Sequence, residues 1–222
     1  MIAIIQTYGL MLMKALSNTL LLTLLSLFFA MIIGLIFSLM NVGKNRLFNL
    51  IGTIYVDAVR GVPLIVLAYF IYFGVPAGMR SLGFDSFRLT ALQAGTAALS
   101  MNCGAYMAEI IRAGIQSVDK GQMEASRSLG INYRLSMQTI VLPQAIRTMI
   151  PSIINQFIIT LKDTSILSII GFPELTNMGK TIVGNTYQSL QTWAIVGVMY
   201  MVVIITLSKV AKRVERRVNR GR

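Results

Sequence analysis

Long apolar stretches dominate the sequence, and residues 16–40 form one of them without a single charged side chain. About 20 apolar residues in a helix cross the roughly 30 Å of hydrocarbon in a membrane. Only helices and closed barrels satisfy every backbone polar group in lipid, and unbroken apolar runs favour helices over barrel strands. The sequence therefore predicts an all-α polytopic membrane protein, a single transmembrane domain over residues 1–222 with five spans at residues 16–40, 55–75, 89–111, 144–170 and 193–207.

Composition and charge exclude several classes of function. The mean hydropathy of +0.69 is far above that of a soluble domain. The formal net charge is +12, but much of it lies in the basic tail at residues 208–222, directly after an apolar stretch. Such a tail is typical of contact with anionic membrane lipid, so no nucleic-acid partner is expected. Because Cys103 is the only cysteine and histidine is absent, we expect no disulfide, no metal site and no enzyme activity.

The positions of lysine and arginine predict how the spans are oriented. A cytoplasmic carboxyl terminus places Lys44, Arg46, the basic residues of segment 117–142 and the terminal cluster on one side, in agreement with the positive-inside rule. With five spans, the amino terminus then lies outside. Residues 1–12 are expected to form a brief separate helix in the outer interface.

Residues 117–142 form a long polar segment between the third and fourth predicted spans. Asp119 followed by Gln122 is typical of a capping box, Gly130 suits a left-handed helix end, and Asn132 suits the start of a second helix. The pattern predicts two short helices along the membrane surface. A solvated connecting loop is the alternative, but a capped segment of this length favours a docking role.

The same segment resembles the cytoplasmic loop of bacterial ABC importer permeases. Residues 124–126 (Glu-Ala-Ser), Gly130 and residues 140–143 (Ile-Val-Leu-Pro) match the pattern Glu-Ala-Ala, three residues, Gly, nine residues, Ile, one residue, Leu-Pro. Ser126 replaces the second alanine and is small enough to permit close helix packing. The resemblance implies a coupling helix that docks onto a separate ATPase subunit through Gln122, Glu124, Ala125, Ser126, Leu129 and Gly130.

Three stretches narrow the resemblance to permeases of the polar amino acid uptake family. They are RGVPLIVLAYFIYFGVP at residues 60–76, YMAEIIRAGIQSVDKGQMEASRSLG at residues 106–130 and LKDTSILSIIG at residues 161–171. The resemblance implies a type I ABC importer permease fold in the bacterial cytoplasmic membrane. It also implies alternating-access import of polar amino acids.

The resemblance further implies partners. These are two ABC ATPase subunits that bind ATP and Mg²⁺, a second permease that is either an identical copy or a close paralogue, and an extracytoplasmic amino-acid-binding protein. The chain itself is expected to bind no cofactor. Residues 173–191, rich in Thr, Asn and Gly, are the segment expected to meet the binding protein.

Charged residues inside the predicted spans are candidates for a substrate site, because charge is costly in hydrocarbon. Asp57 and Arg60 are three residues apart, as are Glu109 and Arg112, so each pair can meet on one helix face. The polar run at residues 162–165 implies a broken helix or a lined cavity.

A bound amino acid needs an acceptor for its ammonium group and a donor for its carboxylate. Asp57 or Asp163 is expected to take the ammonium and Arg60 the carboxylate. Whether Glu109 faces a substrate or pairs with Arg112 is open, and an acid left unpaired would favour cationic side chains. The candidate substrate-binding residues are Asp57, Arg60, Tyr69, Asn102, Glu109, Asp163 and Ser165.

Other classes of function remain open from the sequence. One is an ion-coupled secondary carrier, although such carriers usually have repeated halves. Another is a membrane scaffold whose central segment recruits a soluble partner, and a third is an ABC permease for another small solute such as methionine or an anion. The Gly-Lys-Thr at residues 179–181 is no phosphate loop, because Glu174 occupies the position of the required glycine.

Overall fold

The computed structural model describes residues 1–43 and 45–219, and only the backbone of residues 214 and 216–219. Lys44 and the end of the predicted basic tail, residues 220–222, lie outside the described residues. All regular structure in the described part is helical. Its α-helices are α1 (Ile2–Val42), α2 (Arg46–Gly61), α3 (Leu64–Tyr69), α4 (Val75–Ser81), α5 (Ala91–Gln116), α6 (Lys120–Ser128), α7 (Tyr133–Ser136), α8 (Leu142–Asp163), α9 (Leu175–Thr186) and α10 (Ser189–Asn219).

Shorter helical turns join some of these elements. Phe70–Gly74 and Met137–Val141 form π-helical turns, the first between α3 and α4 and the second between α7 and α8. A 3₁₀-helix, Thr164–Ile170, continues directly from α8. The predicted basic tail is not a separate segment as far as residue 219, because α10 runs through it.

Within residues 1–43 and 45–219, four helical stretches are long and apolar enough to cross a membrane: Ile2–Val42, Leu64–Ser81, Tyr133–Ile170 and Ser189–Arg213. The predicted third span lies in α5, which is not one of them. At about 39 Å, α5 is long enough to cross, but its buried residues are mostly small or polar. Because α5 packs against α1, α2 and α8, protein covers it and large apolar side chains are not needed. The count of five spans remains a prediction.

Two predicted boundaries differ from the structure. Residues 1–12 do not form a separate interfacial helix, since α1 continues without interruption for 41 residues, about 60 Å. Ile4 and Leu12 are buried against α9 and α10, and this packing extends the helix. The second predicted span is interrupted after Gly61, because Pro63 cannot continue α2 and instead caps α3.

α1 and α5 run in the same direction and form the most extensive helix contact of the fold. Gly34 and Gly104 allow the close approach. A Cβ on Gly34 would lie 2.5 Å from the Met107 Cβ, and one on Gly104 would lie 2.7 Å from Cγ2 of Ile33. Small residues at such a crossing let two backbones approach closely. The end of the bundle where α5 ends and α6 and α7 lie is called the α6 end below.

We expect Gly34→Ala to destabilise the fold, because Met107 and the α5 backbone cannot move away from the new methyl group without disturbing the helix pair. The expected cost is about 1–3 kcal/mol, or a fall of about 2–4 °C per kcal/mol in the apparent melting temperature of the detergent-purified protein. Gly197→Ala in α10 is the matched control, because its Cβ meets nothing within 4 Å. An equal fall in both variants would contradict the packing argument.

Candidate functional site

A polar cavity of about 310 Å³ lies at the α6 end, between the last turn of α1, α2 and the last turns of α5. Asp57 and Arg60 reach it from α2, one helical turn apart, and Glu109 and Arg112 reach it from α5 with the same spacing. Amide and hydroxyl groups complete the wall. The full lining is Asn41, Asn49, Thr53, Val56, Asp57, Arg60, Glu109, Arg112 and Gln116.

Glu109 is the centre of the charge cluster. The Arg112 side chain donates its Nε–H to Glu109 Oε2 at 3.1 Å and its Nη2–H to Glu109 Oε1, so the predicted pair within α5 is present. Arg60 Nη1 lies 4.0 Å from Glu109 Oε2, and the Arg60 guanidinium lies over the Tyr106 ring at 5.3 Å. Two arginines therefore share one carboxylate, and Arg60 links α2 to α5.

Asp57 is exposed and forms no ion pair within 4.0 Å in the described part of the chain. The Arg60 side chain turns toward α5 instead of toward Asp57, because Glu109 and the Tyr106 ring both attract the guanidinium. The four charges around the cavity sum to zero, with Asp57 as the acid that no cation in the described residues neutralises. Arg112 Nη1 also donates to Gln116 Oε1 at 2.7 Å.

Arg60 and Glu109 also line a second cavity of about 420 Å³. Its other lining residues come from the end of α5 and from α8 and are mostly small or apolar. The Arg60–Glu109 contact therefore borders both a polar cavity and a less polar one. The further lining residues are Tyr106, Ile110, Ala113, Gly114, Ser117, Thr148, Met149 and Ser152.

The polar run after α8 breaks the helix, as the sequence predicts. α8 ends at Asp163, the chain tightens into the 3₁₀-helix Thr164–Ile170, and Gly171 turns it with φ +77°. Asp163 and Ser165 are half-buried at the start of this break. Apolar residues of the break, including Leu167, pack with Leu64 and Leu67 of α3 in one cluster. The two interrupted helices thus touch each other.

The other candidate substrate residues lie elsewhere. Tyr69 is exposed on α3, with its ring 5.8 Å from that of Phe73, and Asn102 is buried in the middle of α5. Tyr69, Asn102, Asp163 and Ser165 do not line either cavity. The structure brings together Asp57, Arg60 and Glu109, and it adds Arg112, Tyr106 and Gln116, which the candidate set lacks.

The segment between α5 and α8 folds into α6, a turn, and α7. Gly130 has φ +80°, and Asn132 Oδ1 accepts a hydrogen bond from the Leu135 N–H at 2.9 Å, as predicted. The predicted capping box is wrong: Asp119 Oδ1 accepts from the Gly121 N–H at 2.7 Å, and no hydrogen bond of the Gln122 side chain is present among the described residues. Asp119 alone therefore caps α6.

The predicted docking residues lie mainly on the outer surface of α6. Gln122, Glu124, Ala125 and Gly130 are exposed, and Leu129 is 80% exposed. Ser126 is the exception, because its buried Oγ lies 2.6 Å from the Ser136 Oγ. This hydrogen bond ties α6 to α7, which an alanine at position 126 would not do. Ser126 thus faces α7 and holds α6, with its exposed residues, against that helix.

Glu174 is a polar residue whose role the sequence analysis missed. It is fully buried at the start of α9, where its carboxylate accepts the Asn177 N–H at 2.5 Å and the Thr176 N–H at 2.8 Å. Tyr200 on α10 donates its hydroxyl to the same carboxylate at 2.7 Å. The signal for the cap was an acidic residue directly after Pro173 and before a helical pattern. The Tyr200 contact carries no local signal.

Comparison with known proteins gives a consistent result. The family described as "Binding-protein-dependent transport system inner membrane component" matches residues 26–220. The glutamine transport system permease protein of Escherichia coli strain K12 is 33% identical over 207 residues, covering 93% of this chain and 92% of that protein. The arginine transport system permease protein of Bacillus subtilis strain 168 is 35% identical, covering 92% and 91%.

Solved structures agree with the sequence relatives. The crystal structure of an amino acid ABC transporter with histidines has a TM-score of 0.88 and 37% identity, with 96% of each chain covered. An inward-facing structure of the methionine ABC transporter MetNI has a TM-score of 0.79, with 96% of this chain and 98% of that chain covered, but only 20% identity. The second likeness concerns the fold alone.

We expect Ser126→Ala to weaken the connection between α6 and α7 by about 1 kcal/mol, the value of a typical hydrogen bond. Ser136 keeps its bond to the Asn132 carbonyl at 3.0 Å, so its hydroxyl is not left without a partner. The apparent melting temperatures of Ser126→Ala, Ser136→Ala and the double variant form a double-mutant cycle. Strictly additive changes would contradict a direct Ser126–Ser136 interaction.

Proposed function

Because the chain belongs to the family of binding-protein-dependent transport system inner membrane components, we propose that it imports polar amino acids across the bacterial cytoplasmic membrane. The chain is a membrane-spanning permease subunit with the fold of type I ABC importer permeases. Of the possible substrate classes, amino acids have the best support, because the relatives include permeases named for glutamine and arginine. The single observation that carries it is the similarity to both over more than nine-tenths of the chain.

The proposed importer contains two ABC ATPase subunits, a second permease that is either a copy of this chain or a paralogue, and an external binding protein. ATP and Mg²⁺ would bind to the ATPase subunits. We place the α6 end in the cytoplasm and the amino terminus outside, because the basic residues gather at that end. The exposed Glu124 and Leu129 then face the cytoplasm, where an ATPase subunit can contact α6.

In this proposal, closure of the ATPase subunits moves α6, and the motion reaches the bundle through α7 and the π-helical turn that leads into α8. The Ser126–Ser136 hydrogen bond makes α6 and α7 move together. α8 packs against α5 and ends at the break beside Asp163. A shift of α8 would therefore reach both the candidate substrate residues beside α5 and those at the break.

The charge cluster suggests how an amino acid would be bound. Arg60 would meet the substrate carboxylate with the part of its guanidinium that Glu109, at 4.0 Å, does not engage. Asp57 or Asp163 would accept the ammonium group. The Glu109 carboxylate offsets part of the positive charge of Arg60 and Arg112 and holds both side chains in place.

Family membership argues against an ion-coupled secondary carrier and against a scaffold that transports nothing. The permease for another small solute is the remaining alternative. The likeness to the methionine transporter MetNI does not favour it, because at 20% identity that likeness concerns the fold alone.

We expect Glu124→Lys to abolish both ATPase association and ATP-driven uptake, because the reversed charge would sit on the docking surface. The test is uptake of labelled glutamine and arginine by vesicles carrying the permease with its co-purifying ATPase and binding protein. Asp85→Lys, an equal charge reversal in the loop at the opposite end of the bundle, is the control. Uptake that persists without any ATPase would overturn the assignment.

Glu109→Gln tests the charge balance of the polar cavity. The substitution leaves two arginines without their shared carboxylate and raises the net charge of the cavity lining by one. Arginine uptake should therefore fall about tenfold more than glutamine uptake. A tenfold change corresponds to about 1.4 kcal/mol. Asp85→Asn removes the same charge from an exposed loop and should leave the ratio unchanged. A parallel loss for both amino acids would show that Glu109 acts only on stability.

A further inference from the structure

Asp163 lies too far from Arg60 to complete the same substrate site. The Arg60 guanidinium is held beside Glu109, and the last α8 residue that lines a cavity with it is Ser152. Asp163 follows Ser152 by 11 residues on the same helix, a rise of about 16 Å. The ammonium and carboxylate groups of an amino acid are attached to one carbon atom and cannot span this distance. Asp57 is therefore the acid that remains for Arg60, and Asp163 needs another cation as its counterpart.

The 3₁₀-helix after Asp163 has one apolar face and one face with hydroxyl groups. In such a helix, side chains three residues apart eclipse each other. Leu167 and Ile170 therefore share a face, and both are buried in the apolar cluster with α3 and α5. Ser165 and Ser168 share another face, one helical turn apart. These two serines are called the hydroxyl face below.

Lys180 of α9 reaches the hydroxyl face. Its Nζ donates to Ser168 Oγ at 2.8 Å, while Asn177, one turn earlier on α9, donates its Nδ2–H to the Ser168 carbonyl at 3.2 Å. Ser168 is buried, but Lys180 is exposed. In the described part of the chain, both ion pairs belong to Glu109. No carboxylate there neutralises Lys180, so its ammonium group can bind an anionic ligand beside the break.

The spacing between Asp163 and Lys180 suits an amino acid. The five residues from Asp163 to Ser168 rise about 10 Å in a 3₁₀-helix. A hydrogen bond of about 2.9 Å at each end leaves about 4 Å. The ammonium and carboxylate groups of one amino acid bridge this gap once the flexible lysine stem adjusts. The Ser165 hydroxyl lies along the same stretch and offers a further hydrogen bond.

We propose that Lys180 binds the substrate carboxylate at a second, outer site, where Asp163 binds the ammonium group and Ser165 completes the shell. The inference rests on the proposed function, in which the substrate is an amino acid and the α6 end is cytoplasmic. Because the 3₁₀-helix continues directly from α8, away from the α6 end, Lys180 lies on the outer side of Asp163. A substrate that enters from outside meets this site before it meets Arg60.

The first test measures protection of the outer site in the assembled importer in lipid nanodiscs. Ser165→Cys in a Cys103→Ala background gives this chain a single thiol. Its reaction with methyl methanethiosulfonate, a small neutral reagent, is followed at increasing glutamine concentrations, and glutamine should slow it. Lys180→Gln replaces the ammonium with a neutral amide donor and should raise the half-protecting glutamine concentration at least about tenfold, as expected for losing a hydrogen bond to a charged group. Lys180→Arg keeps the charge and should stay within about threefold.

Asn177→Ala is the matched control, because it removes the other side-chain bond from α9 to Ser168 without changing any charge. It should leave the half-protecting glutamine concentration unchanged. Equal rises in Asn177→Ala and Lys180→Gln would show that Lys180 only ties α9 to the break, and would overturn the inference. Absence of protection by glutamine in the protein with Lys180 intact would overturn it as well.

The second test asks which group of the substrate Lys180 binds. Glutamine whose α-carboxylate is converted to a neutral amide should protect the thiol at least about tenfold less well than glutamine, and Lys180→Gln should abolish this difference. A difference that persists in Lys180→Gln would place the carboxylate elsewhere and overturn the inference. If the importer takes up glutamine while Lys180→Gln is protected as well as the parent, only the inference fails. If no amino acid is imported, the proposed function fails, while the protection measurements still decide whether Lys180 binds a carboxylate.

Discussion

Every backbone N–H and C=O inside hydrocarbon must have a partner within the protein, and the structure depends on how it meets this requirement where helices stop. A continuous bundle would meet it within each helix, but would leave no backbone group free to bind a partner. This chain interrupts two of its helical stretches, after Gly61 and after Asp163. At the second break, Asn177 of α9 donates to the Ser168 carbonyl. In the turn that follows, Asn18 and Thr19 of α1 bond to the Pro173 carbonyl and the Leu175 N–H. The break and the turn after it are therefore supported by side chains of α1 and α9.

The same requirement explains the composition of α5. A helix surrounded by lipid needs large apolar side chains, whereas a helix surrounded by protein needs small ones that let its neighbours approach. Gly34 on α1 and Gly104 on α5 bring these two helices together along parallel paths. Both reach the α6 end in register, so Asn41 and Arg112 line one cavity. The position of the charge cluster is a consequence of helix packing and of the helix lengths.

Local structure was predictable where the cause is local. Gly130 and Asn132 determine a helix end and a helix start within a few residues of themselves, and the polar run after Leu161 predicts a break, because these effects need no distant partner. Choices between two possible partners were not predictable. Arg60 has Asp57 one turn away, yet it turns toward Glu109, 49 residues later, and the sequence contains no information on which helix lies beside α2. The length of α1 was missed for the same reason, since its first turns are held by contacts with α9 and α10.

Glu174 shows why the candidate site was only partly predictable. Its sequence context predicts a helix cap. Its burial and its bond to Tyr200, however, depend on α10 packing beside the start of α9. Residues chosen because they are charged within an apolar stretch, such as Asp57 and Glu109, are found by composition alone. A residue that acts by holding others in place is found only when the tertiary contacts are known. The polar group around Tyr200 lies on α9 and α10, and the charge cluster around Glu109 lies on α2 and α5. α8, which ends at Asp163, packs against both α5 and α10. Because α8 contacts a helix of each group, the proposed movement that begins at α6 would reach both groups through α8.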